Sequence, residues 1–173
     1  RDAQRVYEAI IKRMELFGLE LSKEKTRILP FGRYSVSRET FDFLGFTHFN
    51  SKTRKGYYTV GHKISRKKKK QFKSNLKKWV KMNRNTQFDE FMKALNKKLT
   101  GSFNYYSLSG MIKEVRNLWQ HSLYVTFKWL NRRSQRRSFK LERFYEIWND
   151  RIIHPYIHVD IWSGDKVIYN KNV

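Results

Sequence analysis

The spacing of hydrophobic residues along the chain changes near residue 65. Before that point the period is about two, and residues 40–49 and 57–60 have the pattern of two strands. The basic segment 50–56 between them ends in Gly56 and predicts the turn of a hairpin. From Ser65 onward apolar residues recur every three or four positions, which predicts helices. We therefore expect a small antiparallel sheet followed by a helical domain.

A helix and a further strand are predicted before this sheet. Residues 3–17 carry apolar side chains at helical spacing, and Gly18 follows at the position of a left-handed helix cap. The apolar residues on this face are Val6, Ile10, Met14 and Phe17. Residues 26–31, TRILPF, are rich in apolar and β-branched residues and predict a short strand, with Pro30 at its edge or end.

Three helices and short connections are predicted between residues 65 and 134. The first begins near Ser65, and the second follows Thr86, which has the spacing of a capping box with Asp89. The third covers residues 111–134, and the short connections favour an antiparallel three-helix bundle. An additional helix is expected over residues 141–151. The sequence thus predicts an α+β fold that is mostly α.

The charge of the chain indicates an anionic partner. Lys and Arg number 38 against 15 acidic residues, which gives a net charge of +23 and a pI near 10.3. Nucleic acid is the polyanion that such a charge favours, and no apolar run approaches the length of about 20 residues that spans a membrane. The absence of Cys excludes disulfides and thiolate chemistry. We expect a nucleic acid as the partner, with neither a membrane nor a small-molecule ligand.

Ordered motifs in both halves of the chain resemble those of group II intron reverse transcriptases. EKT at 24–26 and FDFLGF at 41–46 resemble the last two palm blocks of that family. Leu95-Asn96, Leu99, Gly101, Asn104-Tyr105-Tyr106, Gly110 and KWLNRRS at 128–134 resemble its maturase-specific domain, also called the thumb or X domain. The resemblance implies three parts: the end of the palm at 1–63, the thumb at 64–152, and a tail of unknown role at 153–173.

The resemblance also implies roles for residues of the palm part. Reverse transcriptases bind two metal ions through paired carboxylates, and the aromatic-Ala-Asp-Asp turn that carries them is not in this sequence. We therefore expect no polymerisation by this chain alone, no metal site and no cofactor in it, and Mg²⁺ for the intact polymerase. Lys25 matches a lysine near the pyrophosphate of the incoming nucleotide, unless it is only a solvated turn residue. The primer grip is implied for Phe43, Leu44, Gly45 and Phe46, which are also compatible with a buried strand, and both interpretations can hold together.

Two basic clusters are expected to bind RNA, although a charged run is also compatible with a merely solvated face. The lysines are flexible point charges suited to binding any sequence, whereas guanidinium groups can fork a phosphate in a set geometry. The first cluster consists of Arg66, Lys67, Lys68, Lys69, Lys70, Lys73 and Lys77, and the second of Arg132, Arg133, Arg136 and Arg137. Tyr105 and Tyr106 could stack on bases, but packing at the turn between two helices is favoured. We interpret Trp119 and Trp129 as core residues.

Together these observations predict the RNA-binding C-terminal portion of a group II intron-encoded reverse transcriptase and maturase. It is expected to grip intron RNA and the template-primer duplex in support of splicing and RNA-templated DNA synthesis. The fingers and catalytic palm would come from a missing half, in the cytoplasm of a bacterium or in an organelle. The alternative is a basic structural protein of a larger ribonucleoprotein without a catalytic role.

Overall fold

The computed structural model describes residues 2–22, 24–35, 39–133 and 138–157. Its elements are α1 (Asp2–Leu16), β1 (Phe41–Phe43), β2 (Phe46–Lys52), β3 (Tyr58–Ile64), α2 (Arg66–Asn83), α3 (Phe88–Tyr106), α4 (Ile112–Leu130) and α5 (Leu141–Arg151). The strands form one antiparallel sheet in the order β1-β2-β3. The predicted α+β fold with mostly helical content is therefore confirmed.

The chain divides into two compact units. The first consists of residues 1–41 and 49–60, and the second of residues 42–48 and the chain from residue 61 onward. The domain boundaries implied by the family resemblance, after residues 63 and 152, stay predictions.

In the first unit α1 ends as its sequence predicts. Gly18 has a φ of 67°, and its amide donates to the carbonyl of Glu15 while the amide of Leu19 donates to the carbonyl of Met14, both at 3.0 Å. Together these bonds cap the last carbonyls of the helix. The apolar side of α1 contains no buried residue, and Phe17 is 70% exposed. Periodicity therefore predicted the helix correctly, although its apolar side contributes no buried residue to a core.

Two strand predictions are corrected. Residues 26–31 form no strand, because local bonds occupy groups that a sheet would need: Thr26 bonds to the carbonyl of Ser22 through its amide and its hydroxyl, and the hydroxyl of Ser35 donates to the carbonyl of Pro30. Residues 40–49 are not one strand, because Leu44 and Gly45 turn between β1 and β2. The predicted hairpin between the two strands on either side of residues 50–56 is confirmed.

In the second unit α2 and α4 run parallel, with α3 antiparallel to α2. Lys69, near the start of α2, meets Glu114 near the start of α4, and Lys81 lies over Trp129 near both ends. The core draws on four helices: Leu76 and Val80 of α2, Phe91, Leu95, Leu99 and Phe103 of α3, Val115, Leu118 and Leu130 of α4, and Phe144 and Trp148 of α5. The additional helix α5 therefore completes the core of the bundle.

The start of α3 differs from the prediction. Its N-cap is Gln87, which makes no side-chain capping bond, so the predicted capping box of Thr86 and Asp89 is wrong. The carboxylate of Asp89 instead accepts a hydrogen bond from the guanidinium of Arg151, which also lowers the pKa of Asp89. An ion pair to another helix has replaced the local cap.

The chain after α5 is held on α3 and α4 by side chains. The amide of Ile153 donates to Oδ1 of Asn96 at 2.9 Å, and its carbonyl accepts from Nε1 of Trp119 at 3.1 Å. The side chain of Asn131 similarly bonds both the amide and the carbonyl of Phe139, at 2.8 and 3.1 Å. These asparagines connect segments that share no regular secondary structure.

Candidate nucleic-acid interface

One side of α2 is lined by cations along its whole length. Its sequence from Arg66 to Asn83 contains no acidic residue. Residues spaced three or four apart share a side of a helix, and this spacing connects Arg66, Lys70, Lys73, Lys77, Lys81 and, just beyond the helix, Arg84. This side lies next to α4, because the charge of Lys73 acts on His121 and both Lys81 and Arg84 contact Trp129.

The adjoining side of α4 adds further cations. Lys128 lies with its Nζ 5.9 Å from the ring centroid of Tyr124, and Arg132 follows the helix and is exposed. The one acidic residue of α4 is Glu114, so α4 contributes almost no negative charge. We call this surface the basic face, formed by Arg66, Lys70, Lys73, Lys77, Lys81, Arg84, Lys128 and Arg132.

His121 lies half-buried beside Lys73 on the basic face. Burial lowers the pKa of His121 below its ordinary value of 6.5, and the positive charge of Lys73 lowers it further. Both causes disfavour the imidazolium form. At neutral pH the side chain is therefore uncharged, and the positive charge here belongs to the lysine.

The start of the α2–α4 pair contains an ion pair. Nζ of Lys69 lies 2.5 Å from Oε2 of Glu114, and both side chains are mostly buried. Lys69 therefore directs its charge at α4 rather than at solvent. Among the described residues, it is the one member of the predicted lysine run that is paired with a carboxylate.

The end of the α2–α4 pair has a different arrangement. Nζ of Lys81 and the Cζ atoms of Arg84 and Arg132 lie 5.7, 5.5 and 5.4 Å from the ring centroid of Trp129. These are distances at which a cation is attracted to an aromatic face. In the described part of the chain none of the three cations has a carboxylate partner. We call these four residues the Trp129 cluster.

The residues predicted to bind RNA differ in their exposure and in their contacts. Arg66, Lys67, Lys70, Lys73, Lys77 and Arg132 are exposed. Arg133 is half-buried, and its Nε donates to the carbonyl of Leu130 at 3.3 Å, where it caps the last turn of α4. Lys68 extends alongside Gly45, whose added Cβ would lie 3.4 Å from Cγ of the lysine. Arg136 and Arg137 lie outside the described residues.

The residues of the predicted primer grip lie against α3 and the start of α2. The hydroxyl of Tyr105 donates to the carbonyl of Leu44 at 2.5 Å, and the amide of Ser65 donates to the carbonyl of Gly45 at 2.9 Å. Leu44 and Gly45 have φ values of 48° and 83°, so both adopt the left-handed conformation. Phe43 and Leu44 remain exposed, whereas Phe46 is buried.

Tyr105 and Tyr106 form the base on which this turn rests. The ring centroid of Phe46 lies 5.6 Å from that of each tyrosine. Both tyrosines belong to the last turn of α3 rather than to a turn between helices, and Tyr105 is 51% exposed, so the expected burial of Tyr105 is wrong. Burial of Tyr106, with Tyr105 beside it, raises the pKa of its hydroxyl. No pattern in the sequence indicates that these rings pack on Phe46 of β2.

Lys25, the implied pyrophosphate contact, belongs to the first unit. It is exposed in a turn in which its amide donates to the carbonyl of Ser22 at 3.1 Å. Its role stays a prediction.

Sequence reasoning missed the contributions of Lys81 and Arg84 to the basic face. The missed signal was the continuation of the cationic spacing of α2 through Arg84. Trp129, interpreted as a core residue, is only partly buried and carries three cations on its ring.

The described residues contain neither a metal-binding cluster nor a membrane-spanning helix. There, no group of three or more His, Asp or Glu side chains is placed to hold a metal ion. His154 stacks on Trp119 with ring centroids 5.4 Å apart, while His158, with which it has a metal-like spacing, lies outside the described residues. No helix in the described part is long and apolar enough to cross a bilayer.

The fold and the basic face define a helical domain with a small sheet and a surface suited to polyanions. Residues 69–147 match the family model of the group II intron maturase-specific domain. The matched residues extend from α2 into α5, and the match agrees with the resemblance that the motifs predicted. The match supports a role in intron splicing and implies intron RNA as a partner. Neither the curated proteins nor the solved structures gave a significant match.

Proposed function

We propose that this domain grips group II intron RNA through the basic face of α2 and α4. The observation that carries the proposal is the uninterrupted cationic side of α2, which meets a helix whose single acid is already paired. From Arg66 to Arg84 this side extends about 27 Å, long enough to follow several phosphates.

Helix stability does not account for these cations. Arg66, Lys67 and Lys68 occupy the first turn of α2, where positive charge opposes the helix dipole by a few tenths of a kcal/mol per exposed residue. Neutralising several phosphates releases counterions and supplies strong binding that depends on salt. An RNA partner therefore supplies the compensation that this chain lacks.

The test is a salt series of binding to a structured RNA hairpin by the full chain. Replacing Lys70, Lys73 and Lys77 by Gln should weaken binding and lower the slope of log affinity against log salt by about one unit per lost contact. The matched control replaces Arg5, Lys12 and Arg13 of α1, three exposed cations of the first unit, by Gln. Equal losses in both variants would show that binding follows net charge and would overturn the assignment to α2 and α4.

We further propose that the turn at Phe43–Phe46 supports the primer end of a template-primer duplex during RNA-templated DNA synthesis. Support comes from the exposed Phe43 and Leu44, held on the base that Tyr105, Ser65 and Phe46 provide. Lys25 would act near the departing pyrophosphate, and Mg²⁺ would be held by paired carboxylates from a fingers and palm half.

This second proposal is tested by primer extension. The chain alone, with Mg²⁺, should give no extension, and adding a fingers and palm half should restore it. Leu44→Ala should then lower the extension rate while affinity for the RNA hairpin stays the same. Extension by the chain alone, or a Leu44→Ala variant as active as the parent, would contradict the proposal.

A further inference from the structure

The Trp129 cluster brings three positive charges to one side chain. Lys81 and Arg84 come from the end of α2, and Arg132 comes from the chain just after α4. Convergence from two helices distinguishes this arrangement from a row of lysines, whose charges are spread along a line. Neighbouring like charges repel one another, and a bound anion would relieve that repulsion.

The indole ring orders the cluster. Guanidinium groups stack on aromatic faces and keep their donors free at the edge of the plane. The Cζ atoms of Arg84 and Arg132 both lie within 5.5 Å of the centroid of Trp129, and no hydrogen bond joins either guanidinium group to a described residue. The ring is itself half-buried at the end of α4, so it is a fixed support. Two guanidinium groups thus meet at one ring, and neither has a hydrogen-bond partner among the described residues.

We propose that the Trp129 cluster is a binding site for the phosphodiester groups of an RNA backbone, resting on the proposed RNA-binding function and locating its strongest contact. Phosphate oxygens accept bidentate hydrogen bonds from guanidinium, and the Lys81 ammonium adds a point charge. A base stacked on Trp129 is the less favoured occupant, because cations already lie over its ring.

Binding of a fluorescent RNA hairpin by the full chain tests the site. The variant Arg84→Gln with Arg132→Gln should bind about tenfold more weakly at moderate salt and show a lower salt slope. The matched control, Lys97→Gln with Arg116→Gln, removes two exposed cations from α3 and α4 outside the basic face and should lose much less. Thermal unfolding followed by circular dichroism confirms that both variants fold.

Two further variants distinguish the contributions of the guanidinium geometry and of the Trp129 ring from the contribution of charge. Arg84→Lys with Arg132→Lys keeps the charge but should retain only part of the affinity. Trp129→Leu keeps all three cations and should weaken binding with little change in salt slope, because the forks lose their support. If Arg84→Gln with Arg132→Gln loses no more affinity for the RNA hairpin than its control does, the site is overturned while the RNA-binding function stands. Failure of the unaltered chain to bind RNA in a salt-dependent way overturns both.

A stacked base predicts a different pattern. In that case Trp129→Leu would lose more affinity than the double arginine variant. The unaltered chain and every variant would also bind weakly to a blunt duplex, which has no unpaired bases. That result would also overturn the phosphate site.

Discussion

Both ends of the α2–α4 pair carry cations, but the groups that these cations contact differ between the two ends. At the amino-terminal end Lys69 meets the carboxylate of Glu114 at 2.5 Å. At the carboxyl-terminal end Lys81, Arg84 and Arg132 meet the ring of Trp129. An ion pair satisfies its charges within the fold, whereas a ring attracts cations without neutralising them. The charge of Lys69 is thus paired within the fold, whereas the three cations at Trp129 have no carboxylate partner among the described residues.

The largest expected effect compares the two tryptophans of α4. Trp119→Ala should cost about 3–5 kcal/mol of unfolding free energy, because Trp119 is 7% exposed, packs on Trp148 and donates to the carbonyl of Ile153. Trp129→Ala should cost much less, since its ring is only partly buried. Urea unfolding followed by circular dichroism measures both. Equal losses would mean that Trp129 is a core residue after all.

The ion pair at the amino-terminal end gives the second effect. Lys69→Met leaves the mostly buried carboxylate of Glu114 without its partner and should cost about 1 kcal/mol, a value that already allows for partial exposure to solvent. Lys70→Met, at an exposed neighbouring position, should change stability by less than about 0.5 kcal/mol. Adding Glu114→Gln to Lys69→Met should recover most of the loss. No recovery would show that the ion pair is not the cause.

Removing the acid should also change RNA binding. Glu114→Gln frees Lys69 and makes the basic face more positive, so affinity for an RNA hairpin should rise by about two- to threefold at low salt. The increase should shrink at high salt because screening weakens it. The control Glu142→Gln makes the same charge change at an exposed position of α5, and its effect should be smaller. A fall in affinity would contradict the assigned face.

The smallest effect concerns pH. Because the folded-state pKa of His121 is below its ordinary value of 6.5, the unfolded chain binds the proton more readily, so stability falls as pH drops through and below 6.5. His121→Gln should reduce this loss, measured as the unfolding midpoint at acidic and neutral pH. His62, whose pKa burial and His48 also lower, contributes in the same direction, so His62→Gln serves as the comparison. An unchanged pH dependence in both variants would contradict this account.

Periodicity predicted α2 to α5 because their apolar residues face one shared core. It failed at Leu44, because a non-glycine residue in the left-handed conformation leaves no sign in the pattern of apolar positions. The turn is stabilised by residues distant in sequence, because the hydroxyl of Tyr105 donates to the carbonyl of Leu44 and the amide of Ser65 donates to the carbonyl of Gly45. Local sequence cannot show a bond between residues 44 and 105.

Charge patterns were informative about the basic side of α2 and uninformative about its two ends. The run Arg66–Lys70 stood out, yet Lys69 pairs with Glu114 on another helix. The Trp129 cluster depends on α2 and α4 running parallel, which brings residues 81, 84 and 132 together. Composition cannot distinguish a compensated cation from an uncompensated one. Only the packing of helices does so.

Two hydrogen bonds hold the backbone of Ile153, and they should affect how fast its amide hydrogen exchanges with solvent. This residue lies beyond α5, outside every helix and strand, yet its amide donates to Asn96 and its carbonyl accepts from Trp119. An amide exchanges when its hydrogen bond opens, whatever structure supplies the acceptor. Deuterium uptake at Ile153 should therefore be slow and tied to opening of the helical core, and Asn96→Ala should make it fast. Slow exchange at a residue without secondary structure would show that the end of the domain is secured by side chains.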